Sequence, residues 1–354
     1  MPPSGTPEEV LPDAPRILVM ETGLLGELLV ATPALRALKA RWPDSRVTVM
    51  ASPGSAIVLV VNPDVDRLLP LTRKERSGFF GVMRMASWIR SQRFDAAVVL
   101  HTSFRSALIA FMGAVPVRAG LACEGRGFLL THKVPRDRSA YEVEEHLRVV
   151  GLLGAAPEGR KLALYLTDEE RSEAEKLLEG VGGRPLVCLH PGASREIRRW
   201  PADRFAELGH RLVADHGVDV AYVFGPAERD LADAVSEWYG SAGLREPALL
   251  FPPNARALGA VFERSSAVVT NNTGPMHVAA AVGVPGVFIH GPTPVARWHP
   301  PGEEYIPVFA DDVECRPCDS PTCDRESLLC MEALSVSRVE ESVARLLEGP
   351  ARAG

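Results

Sequence analysis

The apolar run Arg16-Ile-Leu-Val-Met20 leads into Glu21-Thr-Gly23-Leu-Leu-Gly26-Glu27. Strand, glycine turn and helix make a dinucleotide site when the spacing is G-x-G-x-x-G. Here the spacing is Gly23-x-x-Gly26, and an acid, Glu27, stands directly after the second glycine, where a pyrophosphate would need room. Taken alone, such an acid complements the helix dipole, an effect of about 0.3–1 kcal/mol. Anion-binding chemistry is plainer in the second half. LHPGASREIRRWP (189–201) runs from a strand through a small-residue turn to a helix near Pro201. Backbone N–H groups of Gly192–Ser194, with the guanidinium groups of Arg198 and Arg199, could hold a diphosphate there. In TNNTGPMHVAAAVGVPGVFIHGPT (270–293) a buried strand ends in Asn271-Asn272-Thr273-Gly274, and Pro275 opens a helix of small residues. Gly274 lets a ligand approach the backbone, the first-turn N–H groups and the dipole favour an anion, and His277 falls in the same turn. Glu228, just past the strand end in FGPAERD (224–230), suits ribose hydroxyls or, equally, the N-terminus of its own helix.

These groups must be positioned by alternating strands and helices. The first half predicts strands at 16–20, 46–51, 67–71, 96–101 and 117–121, with helices at 33–42, 78–92, 104–113 and 139–153. Thr32 reads as the N-cap of the first of these, with Pro33 at N1. LALYL (162–166) reads as one more strand. Thr167-Asp-Glu-Glu170 is a capping box opening a helix, and GVGGRP (180–185) reads as a linker. The pattern then restarts with strands at 186–190, 220–224, ALLF, AVVT and 286–290, and helices at 201–216, 227–239 and from about 275. Such alternation indicates α/β architecture with parallel sheets covered on both faces, here two doubly wound Rossmann-like domains. The expected division is a disordered lead at 1–14, a first domain at 15–166, a connecting helix and linker at 167–185, a second domain at 186–333 and a C-terminal helix and tail at 334–354. The amphipathic stretch 334–348 is taken to pack back on the first domain. A cleft between two such domains is where a ligand is expected.

Composition bounds the function. The chain has 354 residues, is 46% hydrophobic and carries a net charge of −6, so a basic nucleic-acid footprint is missing. The Pro-rich, acidic start has no signal-peptide pattern and no apolar run is long enough to span a bilayer, which makes the cytoplasm the default. Residues 71–94 depart from the acidic balance, with Arg73, Lys74, Arg76, Arg84, Arg90 and Arg93 against Glu75 and with Phe79, Phe80, Met83 and Trp88 interspersed. That stretch could rest on anionic headgroups, although Phe79, Met83, Ala86 and Ile89 also form a helix face suited to a core. Near the end, Cys315, Cys318, Cys323 and Cys330 form a compact Cys-rich loop (315–330). Three readings stand: free thiols packed in a Pro-rich loop, a structural zinc or an Fe–S centre.

In order along the chain, GLLGELLVATPALRALK, RAG…EGRGFLLTHKVP…EEHLRVVGLLG, HPGAS…RRWP and TNNTGPMHVAAAVGVP…GPT resemble glycosyltransferase family 9, the bacterial lipopolysaccharide heptosyltransferases. The resemblance covers nearly the whole chain. It implies a GT-B fold, an acceptor-binding N-terminal domain and a nucleotide-sugar-binding C-terminal domain. It implies inverting, metal-independent transfer without a cofactor, of heptose from ADP-heptose to the lipid-linked inner core of lipopolysaccharide, at the cytoplasmic face of the inner membrane. Family members carry an Asp as general base after the turn's second glycine, so Glu27 takes that role. Arg198, Arg199, the Gly274 helix start and His277 would then hold the diphosphate, with Gly192, Ser194, Glu228, Asn272, Thr273 and Pro275 completing the donor site. Gly26, His101, Arg105 and Arg118 are the acceptor-side candidates. Two departures stand out: Glu27 is one methylene longer than the usual Asp, and Asn272 stands where the family shows an Asp. An Asn can hydrogen-bond sugar hydroxyls but carries no charge. A different nucleotide-sugar donor, a nucleotide-sugar epimerase and a sugar-nucleotide-binding protein without catalysis are the competing functions.

Overall fold

The structure, a computed structural model, describes residues 11–72, 74–75, 78–181 and 183–348. The lead up to residue 10, Arg73, Arg76, Ser77, Gly182 and the tail from 349 lie outside the described residues. The chain divides into two compact units, Met1–Tyr165 and Leu166–Gly354.

Among the described residues the first unit carries β1 (Arg16–Met20), β2 (Arg46–Ala51), β3 (Arg67–Pro70), β4 (Ala96–Val99), β5 (Val117–Ala122) and β6 (His132–Pro135). They form one six-stranded sheet in the order β3-β2-β1-β4-β5-β6. Every pairing is parallel, as for Val19 opposite Val49 and Val98. β1 and β4 are buried on both faces, which is why they read as unbroken apolar runs. The second unit repeats the plan with β7 (Leu186–His190), β8 (Asp219–Val223), β9 (Ala248–Leu250), β10 (Ala267–Asn271), β11 (Gly286–Ile289) and β12 (Tyr305–Val308). Their order, β12-β11-β10-β7-β8-β9, is the same winding. In each unit the strand order reverses beside the first strand, between β1 and β4 and between β7 and β10. Ligands of doubly wound sheets bind outside the carboxyl ends of the strands at that reversal.

Several expectations are corrected. LALYL forms no strand: Leu162, Leu164 and Leu166 are buried in alternation, but the segment is tied down by Thr32, whose Oγ1 accepts from the Ala163 N–H at 3.0 Å. Thr32 is also no N-cap. It is the first residue of the helix Thr32–Arg41, and its hydroxyl donates to the Leu29 carbonyl at 2.7 Å. The capping box is present, with Thr167 Oγ1 accepting from the Glu170 N–H and Glu170 Oε2 from the Thr167 N–H. Glu170 also forks onto the buried Arg256, fastening the helix Asp168–Leu177 to the helix Ala255–Glu263. The C-terminal helix Val336–Glu348 packs within the second unit, where Val339 and Val343 meet Leu208 and Leu212 and Glu340 meets Arg211 and His216. Among the described residues no helix is long and apolar enough to cross a membrane.

Candidate functional site

At the β1 end, Glu21 is buried and Glu27 half-buried. Glu27 lies in the first turn of the helix Leu25–Val30, and its Oε2 accepts from the Leu24 N–H at 2.7 Å. The capping role thus exists, and it fixes where the carboxylate sits. Glu21, to which sequence reasoning gave no role, turns its Oε1 onto the Gly23 N–H at 2.8 Å. Gly23 is the meeting point of the two acids: a Cβ there would stand 2.0 Å from Glu27 Oε2 and 2.9 Å from Glu21 Oε1. Burial, followed by the charge of Glu27, holds the Glu21 carboxyl well above the usual range; Glu142 adds to the rise, and the Gly23 N–H and Arg126 oppose it. Glu21 is therefore an acid whose protonated form its surroundings favour, packed against the candidate base.

His101 follows β4, its backbone N–H donating to the Met20 carbonyl at 3.0 Å, so it belongs to the same edge as Glu27. Arg105 lines a groove of about 630 Å³ with Phe79, Met83, Phe104, Leu108 and Glu124. Arg118 does not join them. As the second residue of β5 it belongs to the amino-terminal edge, and its guanidinium is spent on the carbonyls of Val115, Pro116 and Leu129. The fully buried Arg126, unremarked in the sequence, does the positioning instead: its Nε donates to the Leu121 carbonyl at 2.9 Å and its Nη1 to that of His101. The expected core face of the helix Gly78–Gln92 is also corrected. Ala86 and Ile89 are buried, with Gly81 and Met85, whereas Phe79 is 73% and Met83 41% exposed.

In the second unit the chemistry gathers at β7, β8, β10 and β11. Gly192 and Ala193 are buried and Ser194 is exposed. Arg198 ends a short 3-10 turn, and Arg199 folds back so that its Nε donates to the Ala193 carbonyl at 3.0 Å. Asn271 holds this loop: its Oδ1 accepts from the Trp200 N–H at 3.0 Å and its Nδ2 donates to the Pro191 carbonyl at 2.8 Å. Glu228, the N-cap of the helix Arg229–Ser241, covers Gly192 so closely that a Cβ there would lie 2.0 Å from Glu228 Oε1. Burial pushes Glu228 up, but His190, the Gly225 N–H and Arg199 outweigh it and hold the carboxyl below its usual range, ionised. His190 Nε2 lies 3.4 Å from Glu228 Oε2.

Thr273 caps the eight-residue helix Gly274–Ala281, whose entry, Gly274 and Pro275, is half-buried. His277 in its first turn is buried, and burial reinforced by His299 brings its pKa down to about 4. It is a neutral imidazole and brings no positive charge to the helix start. Cys330 is buried and raised by burial first, then by Cys315, Cys318 and Cys323. Even so, among the described residues no group of three or more His, Cys, Asp or Glu is placed to hold a metal ion.

Two doubly wound sheets are thus present, one with carboxyls and the other with a glycine turn and helix start at its strand ends. The sequence profile of glycosyltransferase family 9 (heptosyltransferase) matches residues 82–329. The chain belongs to that family. Lipopolysaccharide heptosyltransferase 2 of Salmonella typhimurium strain LT2 is 30% identical over 294 residues, covering 78% of this chain and 83% of the relative. Among solved structures, the glycosyltransferase family 9 protein of Veillonella parvula matches with a TM-score of 0.82 at 23% identity, covering 94% of this chain and 97% of the other. E. coli ADP-heptose lps heptosyltransferase II matches with a TM-score of 0.76 at 24% identity, covering 94% and 98%. The fold is GT-B.

Proposed function

We propose that the protein is an inverting, metal-independent heptosyltransferase that moves heptose from ADP-heptose to the inner core of lipopolysaccharide at the cytoplasmic face of the inner membrane. The family membership supports the reaction class, and one observation supports the division of roles: a fixed carboxylate at the β1 end and a neutral, anion-receiving helix start at the β10 end. In this reading the acceptor hydroxyl attacks the anomeric carbon, Glu27 takes the hydroxyl proton, and the nucleoside diphosphate leaves with the electron pair of the broken bond. The Gly274 turn and Arg198 or Arg199 receive the developing charge, and Glu228 meets the ribose. Gly26, His101 and Arg105 serve the acceptor side; Arg118 does not.

The test is calorimetry with ADP-heptose, ADP-glucose, UDP-GlcNAc, GDP-mannose and NADH, followed by transfer to core-deficient lipopolysaccharide with and without EDTA. ADP-heptose binds best and transfer survives EDTA. Glu27→Gln stays folded and binds donor, with kcat lower by about 10²–10⁴-fold. Transfer by that variant at the wild-type rate would reduce Glu27 to its capping contact. Release of free sugar without acceptor would favour an epimerase, and tight binding without turnover a binding protein.

The acceptor is lipid-linked, and the first unit exposes aromatic rings suited to a bilayer surface: Phe80 is 84% and Phe128 72% exposed, beside Phe79 and Phe104. Arg84, Arg90 and Arg105 supply positive charge nearby in sequence. Co-sedimentation with anionic vesicles, lost in Phe80→Ser/Phe128→Ser, checks this contact; equal pelleting of variant and parent removes it.

A further inference from the structure

The Asn272 departure has a structural partner. Asn272 follows β10, its N–H donating to the Ile289 carbonyl at 2.8 Å, and His290 follows β11, its N–H donating to the Val308 carbonyl at 2.8 Å. The neighbouring strands thus set the two side chains together, with Asn272 Nδ2 2.6 Å from His290 Nδ1. The contacts continue: His290 Nε2 is 3.1 Å from His299 Nδ1, and His299 Nε2 is 3.1 Å from the Tyr305 carbonyl oxygen.

The last of these fixes all the others. A carbonyl only accepts, so His299 Nε2 carries the proton. In a neutral imidazole the other nitrogen is then an acceptor, so His290 Nε2 donates to His299 Nδ1. His290 Nδ1 is an acceptor in turn, and the Asn272 amide can meet it only through its NH₂ group. The Asn272 carbonyl oxygen is left over, with no hydrogen-bond partner among the described residues, on a side chain that is 4% exposed and immediately precedes the Thr273–Gly274 helix start. Both rings are held neutral. Burial lowers His290 and His299, and the charged or titratable groups facing His290 are His299, Arg316 and His277, each of which lowers it further.

We propose that the His290–His299 chain locks the Asn272 carboxamide in one orientation and makes its Oδ1 a fixed acceptor for a hydroxyl of the donor sugar. Asn272 and His290 then act as one unit, with His290 and His299 as positioning residues. This rests on the nucleotide-sugar reading of the site. It also accounts for the missing acid: an Asp at 272 would set a carboxylate against the acceptor Nδ1 of His290, and the pair could be relieved only by protonating a buried ring or by shifting both rings to the Nδ1–H tautomer, which takes the donor away from the Tyr305 carbonyl.

The test has one arm without ligand and one with. In ¹⁵N–¹H spectra of the histidine rings, assigned through His290→Gln and His299→Gln, His290 and His299 of the wild type should both be the neutral Nε2–H tautomer from pH 5.5 to 8. In Asn272→Asp, His290 should titrate to imidazolium within that range. In the second arm, calorimetry compares ADP-heptose with ADP, which lacks the sugar. The wild type should bind ADP-heptose over ADP by a ratio independent of pH. Asn272→Asp should lose that preference by tenfold or more at pH 8 and regain it toward pH 5.5, and Asn272→Asp/His290→Gln, which restores an N–H toward the carboxylate, should regain it at pH 8. An Nδ1–H tautomer or a protonated His290 in the wild type overturns the proposal whatever binds. So does an Asn272→Asp variant whose sugar preference is unchanged at pH 8. If the rings behave as stated but neither nucleotide binds the wild type, the hydrogen-bond chain stands and the nucleotide-sugar reading falls.

Discussion

Glu21→Gln isolates the buried acid beside the candidate base. The amide keeps the acceptor that receives the Gly23 N–H at 2.8 Å, so the turn is preserved. What changes is proton binding. Burial, then Glu27, raises the Glu21 carboxyl well above its ordinary value of 4.5 in the native chain. Below that ordinary value both native and unfolded chains hold the proton, and pH has no effect through this group. Above it the unfolded chain releases the proton while the native chain keeps it, so stability falls with rising pH until the native group ionises. The slope in that window is up to about 1.4 kcal/mol per pH unit, one proton's worth. For a unit the size of Met1–Tyr165 this is about 3–5 °C in Tm per pH unit. Gln has no proton to lose, so the Tm advantage of the variant over the parent should grow steadily as pH rises from 4.5. Calorimetric melts of both proteins from pH 4.5 to 8 provide the comparison, and transfer assays should find the variant within a few-fold of parent at pH 7. Parallel melting curves, or a variant that melts lower throughout, would refute a neutral buried Glu21.

Three further outcomes follow from single contacts. Gly192→Ala drives a methyl into Glu228 and moves its carboxylate off the Gly225 N–H, now at 2.6 Å; donor Kd should rise roughly ten- to a hundredfold while Tm barely changes, measured by calorimetry. Glu170→Ala strips both oxygens from the buried Arg256 and should cost about 3 kcal/mol in urea unfolding, with partial recovery in Glu170→Leu/Arg256→Met. Burial pushes the Cys188 thiol up to about 12, so iodoacetamide at pH 8 should modify the exposed Cys318 and Cys323 in the native protein and leave Cys188 intact, read by mass spectrometry.

The central strands were legible because a parallel strand buried on both faces is an apolar run, as RILVM and LVCLH are. The edge strands β6 and β12 were not. HKVP and YIPV each contain a proline and cover only one flank of the sheet, so neither shows periodicity. LALYL misled for the opposite reason, since alternating burial does not require a strand partner. Glu27 was marked by its glycines, whereas Glu21 looks like one more residue at a strand end until Gly23 brings the carboxylates together. His290 acquires meaning only when β11 lies beside β10, a pairing across distant sequence that no local pattern encodes. Arg118 could have been set aside from the sequence alone: placed second in a parallel strand, it sits at the end opposite to the ligand edge.

Both sheets wind in the same order, yet the groups at the strand-order reversals have opposite electrostatic character. The first unit gathers Glu21, Glu27 and Glu142 around the end of β1, with the buried Arg126 as counter-charge. A diphosphate gains nothing at such an edge, while a neutral hydroxyl that must lose a proton gains an acceptor. The second unit places neutral imidazoles, an amide and a helix start at the ends of β10 and β11, with Arg199 beside β7. On the proposed reading an anion would meet N–H groups there without a competing carboxylate in the turn itself, since Glu228 is drawn aside onto Gly225 and His190. On that reading a repeated scaffold supplies two unlike subsites through the residues that follow its strands, and exchanging their character is the direct challenge to this division. A carboxylate introduced by Gly274→Asp should abolish donor binding while leaving the first unit's melting transition unchanged, whereas retained donor affinity would show that the anion is held elsewhere.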